Sequence, residues 1–151
     1  MGRKKTKIYR NTDNNQTIGD TLGKPTIKPI AKTESKHYQV PELTKDNIET
    51  IFTGNTVIDI WAPWCGPCIK YSAPFAKTAE KYKDQDIYFA KMNLDKNRGT
   101  ISDLIKKGVL SKKIKSIPCT IYIKDGVEID RFIGGRLNKL EDKISEHYLN
   151  R

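Results

Sequence analysis

Thr56-Val57-Ile58-Asp59-Ile60-Trp61-Ala62-Pro63-Trp64-Cys65-Gly66-Pro67-Cys68 is the stretch in which fold and chemistry are read together. Its first six residues are mostly β-branched or aromatic and lie between a Gly-Asn turn and a proline, which predicts a buried central strand. Asp59 is the anomaly inside it, because a carboxylate among Ile58, Ile60 and Trp61 is costly to bury without a use. Beyond the strand, Cys65 and Cys68 stand three positions apart where the strand gives way to a helix. A cysteine at a helix N-terminus meets unpaired N–H groups and the positive end of the helix dipole. Both favour thiolate and can lower a thiol pKa to roughly 3.5–7.5. Cys65 is therefore the expected nucleophile. Cys68, one turn into the helix, is near enough to close a disulfide with Cys65, sits deeper and is the expected resolving thiol. Pro67 suits the first turn, where its missing N–H is not needed, and Gly66 lets a substrate backbone come close.

Working outward, 38–40 reads as a short strand before Pro41, and residues 44–47 offer caps for a helix running through Phe52. Residues 66–83 read as one long helix containing Pro74, which should kink it. A strand over 87–94 follows, then a helical stretch over 101–107 that stops at Gly108 and a Lys-rich segment returning toward the sheet. Residues 119–123 and 127–133 are β-rich runs joined by Lys124-Asp125-Gly126, a hairpin signal, and 137–149 is an amphipathic helix. The order βαβαβαββα implies an α/β domain. Its central mixed sheet, parallel in its first part, should be flanked by helices on both faces.

Trp64-Cys65-Gly66-Pro67-Cys68 after an apolar strand bearing Asp59 resembles the active site of the thioredoxin family, and the resemblance covers roughly residues 38 to 150. It implies the thioredoxin fold and a protein-disulfide reductase working through a mixed disulfide. No cofactor is then bound, and electrons come from an external thioredoxin-reductase-like donor. Asp59 matches the family's buried carboxylate, which exchanges a proton with the resolving thiol and should be raised in pKa by burial. Lys91, in Ala90-Lys91-Met92-Asn93-Leu94-Asp95, matches the lysine that tempers that acid. Ser116-Ile117-Pro118 matches the loop whose cis-proline faces the cysteines and offers backbone groups to substrate, so Pro118 is expected cis. Gly126 and Gly134 match family glycines, Gly134 in the substrate groove, and Trp64 either packs under the loop or meets substrate. Three departures stand out: Cys119 in place of the usual Thr, Ile69 in place of the common Lys, and a longer stretch from Asp95 to Pro118.

Composition sets the frame. A chain of 151 residues fits one domain. No apolar run approaches the roughly 20 residues of a membrane helix. Of the net charge of +10, residues 1 to 38 carry nine Lys/Arg against three Asp/Glu. That asymmetry divides the chain into a basic, flexible arm over 1–37 and a domain over 38–151. Three cysteines are too few for a secreted disulfide framework, which points to a reducing, cytoplasmic setting and a monomer. Partners are then disulfide-containing proteins and a reductase, with a weak acidic or nucleic-acid partner for the arm. Competing readings are an oxidase or isomerase, a binding module, and half a zinc site completed by Cys119, His37 or His147. A loose acylation pattern at residues 1–6 adds attachment to a membrane surface, and packaging in a viral particle is a further alternative.

Overall fold

The computed structural model describes residues 38–149. The expected arm over 1–37, with its basic cluster and acylation pattern, lies outside them. Strands β1 (Asn55–Trp61), β2 (Ile87–Asn93), β3 (Cys119–Lys124) and β4 (Val127–Ile133) form one sheet in the order β2-β1-β3-β4. β1 pairs parallel with β2 and antiparallel with β3, and β3 pairs antiparallel with β4. Residues 56–60 of β1 are all buried. This continuous pattern, rather than an alternating one, is what a strand covered on both faces requires.

The cover comes from three helices, α1 (Gly66–Lys81), α2 (Arg98–Lys106) and α3 (Leu137–Ile144). On one face Ile58 and Ile60 of β1, Ala90 and Met92 of β2, and Ile121 and Ile123 of β3 pack against Ile101 and Leu104 of α2. On the other, α1 brings the Phe75 ring to 5.9 Å from that of Phe89 and the Tyr71 hydroxyl to 2.9 Å from Thr120 Oγ1. The Tyr122 hydroxyl donates to the Leu140 carbonyl of α3 at 3.0 Å. This is the expected mixed sheet with helices on both faces, and it is the thioredoxin fold.

The boundaries differ where local sequence competes with pairing. Residues 38–40 form no strand. The edge pairing is instead a parallel bridge of Glu42 with Lys91, in which Leu43 N–H donates to the Lys91 carbonyl at 2.7 Å and Lys91 N–H to the Pro41 carbonyl at 2.9 Å. Pro41 has no N–H to extend a ladder, which keeps the pairing short. The helix expected through Phe52 is only a 3₁₀ turn, Ile48–Ile51. Ahead of it Thr44 N–H bonds Asn47 Oδ1 at 2.8 Å and Asp46 N–H bonds Thr44 Oγ1 at 3.1 Å. Such side-chain bonds offer the backbone a turn in place of a helix. α1 stops at Lys81, and α3 gives way after Ile144 to a π turn, Ser145–Leu149.

The hairpin signal is fulfilled by backbone angles. Asp125 (φ 47°) and Gly126 (φ 83°) both adopt left-handed conformations, and Asp125 Oδ1 accepts from Gly54 N–H at 2.8 Å. A Cβ on Gly126 would also stand 3.2 Å from the Phe52 carbonyl oxygen. Replacing Gly126 by Ala should therefore cost about 1–3 kcal/mol in a denaturant unfolding experiment. The loss should come with no loss of dithiol reactivity, since the turn lies across the sheet from the cysteines.

Candidate active site

Helix α1 starts at a sulfur. Cys65 is its N-cap, in an extended conformation (φ −95°, ψ 105°), and Cys65 Sγ accepts the Cys68 N–H at 3.2 Å. Pro67 occupies the first turn. The two cysteines form a disulfide with a Cα separation of 5.2 Å, inside the range such bonds need. Cys65 keeps 6% exposure and Cys68 only 1%, so the outer and inner thiols are ordered as the sequence suggests. Ala62, Trp61 and Ile117 pack around the pair.

Facing it is the loop before β3. The Ile117–Pro118 bond is cis, and the Ile117 carbonyl oxygen lies 3.9 Å from Cys65 Sγ. Gly134, at φ 102°, ties the end of β4 to this loop by donating its N–H to the Pro118 carbonyl at 2.9 Å. A Cβ on Gly66 or Gly134 would meet nothing within 4 Å, so both border open space. Trp64 is 66% exposed, and its indole N–H donates to Asp95 Oδ2 at 2.6 Å. It is thus held beside the disulfide by a bond across the surface, not packed under the loop. Ile69 is also exposed on α1.

The buried acid belongs to β1, the strand that leads to the pair. Asp59 is opposite Lys91 of β2 and Thr120 of β3 in register, 1% exposed, and its Oδ1 has no hydrogen-bond partner among the described residues. Burial pushes its carboxyl up to about 7; Lys91 opposes this shift and Glu42 adds to it. The Lys91 ammonium, however, makes its ion pair with Glu42 Oε2, at 3.9 Å, and lies 4.5 Å from the centre of the Trp61 ring.

Among the residues expected at the site, Cys65, Cys68, Ile117 and Pro118 come together, and Asp59 and Lys91 face one another within the sheet. Trp64, Gly66 and Pro67 adjoin the cysteines along the chain, and Gly134 is tied to the Pro118 loop. Sequence reasoning missed two carboxylates, Glu42 and Asp95. Asp95 lies inside the motif used to find Lys91, and its position just past β2 was the available signal; Glu42 had none. Cys119 pairs with Ile60 and belongs to the core on the α2 face, where burial raises its thiol to about 11. His147 bonds Asp130 Oδ2 at 2.8 Å, and no cluster of three metal-ligating side chains occurs among the described residues. His37 lies outside them. No helix there is long and apolar enough to cross a membrane.

A helix-capping cysteine pair facing a cis-proline loop, at the end of a strand that buries a carboxylate, defines a thiol–disulfide oxidoreductase, of the protein-disulfide reductase class. The sequence model of the thioredoxin family matches residues 39–146, and the chain belongs to that family. It is 38% identical over 90 residues to a thioredoxin of Coprinus comatus, covering 60% of this chain and 77% of that one. With a thioredoxin of Chlorobaculum thiosulfatiphilum it shares 31% identity over 110 residues, 70% of this chain and 94% of the relative. The solved thioredoxin of Malassezia sympodialis superposes with a TM-score of 0.61 at 26% identity, covering 73% of this chain and 91% of that one. That of Schistosoma mansoni gives 0.58 at 28%, covering 72% and 95%.

Asp59 makes stability depend on pH in a direction that can be checked. Folding raises its pKa from 3.8 to about 7, so the native state holds more protons than the unfolded chain across that window. Stability therefore falls as pH rises through it. In the oxidised protein, Asp59→Asn should be more stable than the native chain at pH 8, by on the order of 4 kcal/mol at most. Denaturant titrations at several pH values should show the gap closing toward pH 4; an equal gap throughout would contradict the assignment.

Proposed function

We propose that this chain reduces protein disulfides with Cys65 as nucleophile and Cys68 as resolving thiol. The observation that carries the reading is the Cys65 sulfur at the mouth of α1, bonded by the Cys68 N–H at 3.2 Å and facing the cis Ile117–Pro118 loop. In the reduced protein the same N–H and the helix dipole would hold a Cys65 thiolate. That thiolate attacks one sulfur of the substrate disulfide, forming a Cys65–substrate mixed disulfide and expelling the other substrate sulfur as thiolate. Cys68 then gives its proton to Asp59 and attacks Cys65 Sγ. The mixed disulfide breaks, the second substrate thiol leaves, and the Cys65–Cys68 disulfide remains. Two electrons have passed to the substrate, and an external thioredoxin-reductase-like donor restores the dithiol.

Asp59 suits the proton step because burial brings it to about 7, where acid and base forms are both populated at neutral pH. Lys91, its register neighbour, tunes it. For the substrate chain we assign the backbone of Ile117, Pro118 and Gly134 as the strand-like contact, and Trp64, Gly66 and Pro67 as the surrounding rim. We further place the chemistry within 38–151 of a monomer in a reducing, cytoplasmic setting. The basic residues 1–37 are then an accessory segment for an acidic or nucleic-acid partner.

The test is insulin reduction with dithiothreitol as electron source. The native chain should be active, Cys65→Ser inactive, and Cys68→Ser arrested as a mixed disulfide that mass spectrometry detects. Cys119→Ser and a chain starting at Tyr38 should keep native turnover. Activity surviving in Cys65→Ser, or absent from the native chain, would overturn the reading.

A further inference from the structure

We infer that Glu42 is a positioning residue for the dithiol reaction: it draws the Lys91 ammonium toward the sheet edge and so leaves Asp59 free to take up and release a proton. The inference deepens the role proposed above for Asp59 and rests on it. Lys91 stands directly opposite Asp59 across the parallel pair of β1 and β2. A lysine so placed would ordinarily close on the buried carboxylate and fix it in its ionised form, in which it cannot hold a proton. Here the lysine has another partner. Glu42 pairs with Lys91 through the backbone, with bonds of 2.7 and 2.9 Å on either side of the bridge.

The side chains complete a box for the ammonium. Glu42 Oε2 lies 3.9 Å from Lys91 Nζ, Glu42 Oε1 accepts the Trp61 indole N–H at 3.4 Å, and Nζ lies 4.5 Å from the Trp61 ring centre. A cation over an aromatic face with a carboxylate at its side has little reason to turn inward. The ring that shapes the box is also one of the groups packed against the disulfide. A charge relation therefore runs from the sheet edge to the redox centre through Glu42, Lys91 and Asp59.

Other ionisable groups do not replace this relation. Lys91 of β2 and Glu42 of the edge segment act on Asp59; it acts in turn on Tyr71 of α1 and, through the sheet, on Cys119 of the α2 face, and burial keeps both of these neutral at ordinary pH. Besides Lys91, the cation acting on Glu42 is Lys96. Because the Glu42 side chain is 44% exposed, its effect is modest, and the experiment must read Asp59 itself.

Carboxyl ¹³C titration of the full-length oxidised chain does so without interference from Cys65 and Cys68. Glu42→Gln keeps the length of the side chain and an oxygen for the Trp61 N–H. It should move the Asp59 midpoint to lower pH by about half a unit, because the freed ammonium turns to Asp59. The pH profile of insulin turnover should shift in the same direction. In a Lys91→Met background the same substitution should move the midpoint less. An unmoved midpoint, or an equal shift in both backgrounds, would overturn the inference while leaving the dithiol reading intact. So would a uniform loss of turnover without a change in Asp59. A titration that moves while the turnover profile stays fixed would overturn both the role of Glu42 and the assignment of Asp59 to the proton step.

Discussion

The structure turns on one bond, the hydrogen bond from the Cys68 N–H to the sulfur that caps α1. Making it requires the chain to turn after β1, where Cys65 N–H donates to the Ala62 carbonyl at 3.1 Å, and to enter the helix from an extended Cys65. The first sulfur then keeps some exposure and the second is carried one turn inward. Strand β1 can deliver that turn because it is buried on both faces and paired on both sides, by β2 and β3. The helix that follows is held down by Tyr71 and Phe75 against the sheet. The reactive end is thus the exposed tip of the most constrained part of the molecule. This is the arrangement in which backbone donors can stabilise a charge without reorganising.

The second constraint is the burial of Asp59. A carboxylate in mid-sheet with an unbonded oxygen is a liability for folding, and such a group on the strand that leads to the cysteine pair suits the proton step proposed for it. The neighbouring charges decide how far the liability extends. Burial raises its pKa, Lys91 opposes the shift and Glu42 adds to it, so two partly exposed side chains at the sheet edge adjust what burial imposes.

Much of this was legible in the sequence, for physical reasons that differ by element. β1 shows in residues 56–61 because a doubly covered strand needs an unbroken apolar run, and Asp59 is conspicuous by interrupting it. The turn at Asp125-Gly126 shows because few residues accept two successive left-handed conformations. The cis bond at Pro118 was reached through family resemblance, not through any local pattern. What stayed hidden depends on distant chain. Glu42 acquires meaning only once Pro41 and Leu43 bond to Lys91. Asp95 does so only when the end of β2 arrives beside Trp64. Residues 38–40 look like a strand but form none, since Pro41 cannot extend the bridge of Glu42 with Lys91, and the caps near Thr44 serve a turn. Cys119, one of the departures from the family pattern, is placed by alternation: its register with Ile60 turns it to the α2 face.

The central claim, that the N-terminus of α1 makes Cys65 the reactive thiol, is tested most directly by alkylating the reduced protein. Treatment with iodoacetamide at pH 6, over two units below the ordinary thiol pKa of about 8.5, would be followed by peptide mapping. Modification confined to Cys65, with Cys68 and Cys119 untouched, is the expected result. Cys68 reacting first, or no thiol reacting until the ordinary thiol range is reached, would contradict it.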